Sequence, residues 1–196
     1  MHRITLPSIL RLSLIVPAVL LLLTAVSVAS ADATVMLHLG PRDLTRRADI
    51  IVIARVVQVE PREEPHGVFT YTTLTVERTI KGSIGSPFVI NTAGGRIRER
   101  ATIVHGIPTF KEGERVLLFL KYGSYNPLVV VGSIQGKFTV VPDPEDPDRE
   151  ILIRDLSEAT LIPGPDLPEK SAPDISQQKL SLDAFLQLIR KQLSED

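Results

Sequence analysis

Between residues 50 and 59 the chain reads IIVIARVVQV, with β-branched side chains at both parities, as in a strand that is central or sharply curved. Arg55 interrupts the run and reads as a long side chain reaching a rim. The second long pattern differs. In VFTYTTLTVERTI, residues 68–80, Val68, Leu74, Val76 and Ile80 share one parity while Tyr71, Thr73, Thr75 and Glu77 share the other, predicting one buried and one wet face. The polar, proline-bearing EPREEPHG at 60–67 predicts a connecting loop, so the two strands form an antiparallel hairpin.

Shorter strands are expected at 87–91, 101–104, 115–121, 127–131, 137–141 and 150–154, with glycine-bearing turns at 92–95, 111–114 and 132–136. Many short strands without helical patterns between them indicate an antiparallel barrel or sandwich and exclude a doubly wound α/β domain.

Two helices bracket the strands. Pro41 starts a short one over 41–48, with Leu44 and Ala48 on one face. At the far end Ser181 is placed as an N-cap, and Leu182, Phe185, Leu186, Ile189 and Leu193 recur at helical spacing, with Arg190 and Lys191 toward the negative end. Such a stripe docks on its own domain or, alternatively, on a partner. Between strands and helix, residues 142–173 hold seven of the fifteen prolines and read as loop or linker. The expected organisation is a leader at 1–31, a β domain at 32–141, a proline-rich acidic extension with one short strand at 142–180, and a helix at 181–196.

The leader carries His2, Arg3 and Arg11, then an almost unbroken apolar run to Val28 and the small residues Ala29, Ser30 and Ala31. This is the pattern of a secretory signal peptide cleaved after Ala31, or after Ala33, and it predicts a secreted, periplasmic or cell-envelope protein. A retained anchor is the alternative, against which Pro17 and the small-residue end argue. The chain has no cysteine, which excludes a lipid-modified leader, a disulfide framework and a thiolate metal site. Residues 33–141 carry a net charge of +5 and residues 142–196 a net charge of −7. The first segment is too weakly basic to argue nucleic acid, and no membrane association is expected once the leader is removed.

Ala48-Asp49-Ile50-Ile51-Val52, Tyr71-Thr72-Thr73-Leu74-Thr75-Val76-Glu77 and Lys81-Gly82 together resemble the opening of netrin-like domains, the OB-type barrels of tissue inhibitors of metalloproteinases. The stretch 48–140, including Gly106-Ile107-Pro108-Thr109-Phe110, Gly113-Glu114 and Gln135-Gly136-Lys137-Phe138, also resembles a loose group of exported bacterial proteins of unknown function. The resemblance covers about half of the 196 residues and implies an OB-like antiparallel β-barrel. Those inhibitors place a free N-terminal cysteine in the protease metal site. Without a cysteine, that mode of inhibition does not carry over.

No reactive set completes itself in the sequence. His38, His66 and His105 lack the spacing of a helical metal pair and read as solvated or turn residues, although a site assembled from distant residues stays open. Ser83 and Ser133 miss the nucleophile-elbow pattern. Glu63 with Glu64, and Glu112 with Glu114, lie in polar loops where neighbouring carboxylates usually face water. The suggestive surface feature is Arg96, Arg98 and Arg100, which project from one side if the segment is extended, as a basic row for an anionic ligand. Its competitor is a solvated edge whose like charges discourage strand addition. His105, in a turn entering the apolar run 116–120, is kept as a rim contact. The expectation is a non-catalytic binding module with no cofactor and no metal, whose partner is a protein or an anionic ligand. A protease inhibitor acting through barrel loops and a hydrolase with a noncontiguous site are the alternatives.

Overall fold

The computed structural model describes residues 34–124, 128–157, 159–162 and 180–195. In chain order the elements are β1 (Thr34–Leu37), α1 (Pro41–Arg47), β2 (Ile50–Glu64), β3 (Gly67–Lys81), β4 (Phe88–Ala93), β5 (Gly95–Ile97), β6 (Arg100–Thr102), β7 (Arg115–Lys121) and β8 (Val129–Val130). A 3-10 turn (Ser133–Gly136), β9 (Lys137–Pro142), β10 (Glu150–Ile153), β11 (Ala159–Ile162), β12 (Leu180–Ser181) and α2 (Leu182–Glu195) follow. The fold is mostly β, with two helices.

One large sheet runs in the order β12-β10-β9-β7-β2-β3-β4, antiparallel throughout, with β8 added beside β7. Strands β2 and β7 lie at its centre and explain the double-sided apolar runs. On one face Ile50, Val52, Ala54, Val56, Val116, Leu118 and Leu120 pack with Leu74, Phe88, Ile90 and Phe110. On the other face Ile51, Ile53, Leu117 and Phe119 meet Leu44 of α1 and Phe185, Leu186 and Ile189 of α2. Alternate residues of the same strands thus build two cores. Phe119, Phe138 and Phe185 cluster in the second, with ring centroids 5.2 to 6.3 Å apart, so the C-terminal helix docks on its own domain.

Several residues of the quoted motifs are accounted for by one junction. Lys81 Nζ donates to Thr45 O at 2.9 Å, placing an ammonium at the negative end of α1. Asp49 Oδ2 accepts from Tyr122 N at 2.9 Å, and Asp49 N donates to Leu120 O at 2.9 Å. Gly82 sits at φ 72°, and a Cβ there would lie 2.3 Å from Asp49 O, so only glycine lets the end of β3 pass this close. Ala48, at 1% exposure, fits the core beside α1.

The structure corrects the sequence reading in places. The polar segment 60–64 is not a loop: β2 and β3 stay paired to Glu64 opposite Gly67, and only Pro65 and His66 turn. Beyond Arg55, β2 has lost β7 as its second neighbour, so Pro61 removes no ladder hydrogen bond on that side and a charged sequence is stable there. Register shifts along β2 add the curvature expected of it. Residues 95–97 form a strand just past the turn expected at 92–95, whereas the turn expected at 132–136 is present as a 3-10 turn at 133–136. The extension holds β11 as well as β10, and β11 pairs in parallel with β1 in a separate two-stranded sheet. The proline-rich stretch 163–173 and the expected leader at 1–31 lie outside the described residues. Among the described residues no helix is long and apolar enough to cross a membrane.

Candidate functional site

The β5–β6 hairpin is pinned onto β2 and β3 by two glycines. Gly94, at φ 91°, donates its N–H to Val68 O at 2.8 Å, while its carbonyl accepts from Thr70 Oγ1 at 2.7 Å. Gly95, at φ 149°, would place a Cβ 2.5 Å from Thr70 Oγ1. Without side chains here, the ribbon comes close enough to lie on the long hairpin. The chain then reverses at Arg98 and Glu99, with Arg98 in the left-handed region at φ 53°.

This reversal breaks the expected basic row. Arg96 pairs with Ala101 and Ile97 with Arg100, so the three arginines decorate a hairpin instead of one extended edge. Arg96 lines a groove of about 460 Å³ that also takes in Ala101, Thr102, Ile103, Val104 and Phe110. Arg98 and Arg100 line a neighbouring cleft of about 970 Å³ with Glu63 and Glu64. Thr102 belongs to both, which makes the hairpin the wall between them. All three arginines are exposed, and their guanidinium groups make no ion pair or hydrogen bond with the described residues.

His105 is exposed in the turn after this wall. Its neighbours Val104 and Ile107 line the 460 Å³ groove, and Gly106 O accepts from Ile134 N at 3.2 Å, tying the turn to the 3-10 segment. The structure thus brings His105 close in sequence to a groove that Arg96 borders, while Arg98 and Arg100 face the other cleft. Ile103 is 71% exposed and Val104 39%, an apolar step at the groove mouth.

Ile107, Pro108 and Thr109 also border a second groove, of about 540 Å³, with Lys111, Glu112, Glu114, Lys137 and Asp155. The carboxylates expected merely to face water are used here. Glu114 Oε1 accepts from Lys137 Nζ at 2.8 Å and from Thr139 Oγ1 at 2.7 Å, and its Oε2 accepts from Lys111 N at 3.0 Å. Glu112 Oε1 accepts from Val59 N at 3.1 Å. Glu64 accepts from the Tyr71 hydroxyl. Hydrogen bonds from Ser157 hold the Asp155 carboxyl below its usual range. These groups hold loops in place. Among the described residues no three His, Asp or Glu side chains gather as a metal site would require.

His38 departs from the expectation of a solvated residue. It is 5% exposed, and burial first, then the Arg154 charge, lowers its pKa below 6.5. Arg154, equally buried, donates from Nη2 to Leu39 O at 3.3 Å and stacks 5.0 Å from the Phe138 ring centroid. Burial lowers its pKa to about 10, so it stays charged at neutral pH. Gln135 completes the clamp, donating to Leu37 O at 2.9 Å and accepting from Leu39 N at 2.8 Å. No local motif signals this group, because β1 lies about a hundred residues from both the 3-10 turn and the end of β10. Its geometry holds the N-terminal strand against the body. No family model, no curated protein and no solved structure matches the chain.

Proposed function

We propose that this chain is an exported, non-catalytic binding module built on an OB-like barrel of the netrin-like kind. The barrel reading is supported by the path β4-β3-β2-β7 with β8 beside β7, antiparallel strands whose shared apolar face packs Phe88, Ile90, Leu118 and Val130 together. Export is supported by the basic start, apolar run and small-residue end of residues 1–31.

The observation that carries the binding reading is the hairpin wall. Arg96, Arg98 and Arg100, unpaired among the described residues, stand on the same hairpin segment as the exposed Ile103 and Val104, with a groove on one side and a cleft on the other. Charged and apolar groups left together on a surface, instead of being neutralised or covered, suit a protein or anionic ligand. His105 belongs to the same rim.

The test is affinity capture from the host's secreted fraction with the full chain as bait. The reading predicts a specific partner, lost when Arg96, Arg98 and Arg100 are all changed to Glu. Turnover of a defined substrate that depends on His105, Glu112 or Glu114 would replace it with a hydrolase. Inhibition of a co-exported protease by the chain would specify the module as an inhibitor.

A further inference from the structure

We infer that the outer edge of β6, continued through Ile103 and Val104, accepts an extended acidic-apolar segment of a partner protein by strand addition. This rests on the binding-module reading and specifies the partner's chemistry. β6 is paired on one side by β5, and among the described residues no strand pairs with its other side. Residues 100–104 are exposed throughout. A strand edge of this kind presents unpaired N–H and C=O groups, and alternate side chains of an added strand fall to opposite sides.

The surroundings select the occupant. On one side the added strand meets the 460 Å³ groove, whose walls Ile103, Val104, Pro108 and Phe110 are apolar. The side chain directed there is therefore apolar. Arg96 borders this groove, and Arg98 and Arg100 line the cleft across the wall, where Glu63, Glu64 and Glu99 also lie; Glu64 is engaged by the Tyr71 hydroxyl, and neither Arg96 nor Arg100 has a carboxylate partner among the described residues. An edge that itself carries Arg100 and borders Arg96 repels basic strands and pairs with acidic ones. An extended segment with Asp or Glu alternating with Val, Ile, Leu or Phe satisfies edge, groove and charge together.

The probe is a set of fluorescent heptapeptides in which Asp or Glu alternates with one of those four apolar residues, titrated against the full chain by anisotropy. At least one binds saturably. N-methylation of its apolar residues, which removes the amide donors, weakens binding at least tenfold, and so does Ile103→Asp; Arg96→Glu weakens it several-fold. Peptides with Lys in place of the acids do not bind. Unchanged melting of the Ile103→Asp and Arg96→Glu variants shows that the surface alone was altered.

Binding that survives both N-methylation and Ile103→Asp overturns strand addition, and so does failure of the whole set to bind. The two readings separate in the capture experiment. A partner captured equally by the wild type and by Ile103→Asp leaves the module reading standing and removes β6 as its site. No captured partner removes the module reading itself.

Discussion

Gly82 and His38 show what single residues contribute that a pattern does not display. Gly82 combines φ 72° with a 2.3 Å approach of its hypothetical Cβ to Asp49 O. Gly82→Ala therefore costs more than about 2 kcal/mol, since left-handed strain and a backbone clash add, and chemical denaturation reads the loss as a lower midpoint. Buried His38 gives a pH signature. Its folded pKa lies below 6.5, so the unfolded chain binds the proton first as pH falls, and stability present above pH 6.5 drains away as pH drops through the folded value. Arg154 opposes that proton and Asp43 favours it. Melting temperatures measured from about pH 7.5 to about pH 5 should fall on acidification, and His38→Asn should flatten that fall relative to the wild type. Motif residues such as Lys81 and Gly82 were visible in the sequence, but their reason was not, because it is a contact with α1 and Asp49. The burial of His38 was hidden for the same reason: it depends on Gln135 and Arg154, far along the chain.

At the level of elements, periodicity was legible wherever burial decided the residue. β7 matches the run 115–121, and α2 carries Phe185, Leu186 and Ile189 inward as its stripe requires. Legibility failed where strands leave the core. The distal half of β2 is held by ladder hydrogen bonds and surface pairs such as Arg62 with Glu60, so its sequence has no apolar face to display. β6 falls within reach of the strand expected at 101–104, but β5 was missed because its glycine is a poor strand former and its extended conformation comes from packing on the long hairpin. The docking of α2 is testable through Phe185, which is 4% exposed and meets both Phe119 and Phe138. Phe185→Ala should destabilise the fold by about 3–5 kcal/mol, measured by equilibrium denaturation, through lost burial and the cavity left behind. A change near zero would mean that the helix contributes little to the second core.

For the whole molecule, a central sheet covered on both faces supplies stability without disulfides, and that leaves the outlying hairpins free to carry exposed chemistry. The candidate rim was half legible: Arg96, Arg98, Arg100 and His105 are all there, but the reversal at Arg98 and Glu99 splits the arginines between two recesses. Chain reversal within a five-residue charged segment leaves little trace in periodicity. Amide hydrogen exchange across the full chain, with and without the tightest of the acidic-apolar heptapeptides, probes both halves of this picture at once. Slow exchange in β2 and β7, fast exchange at residues 100–104 in the free chain, and slowing at 100–104 when the peptide is added are predicted. Slowing confined to another part of the surface, or none at a saturating peptide concentration, would contradict it.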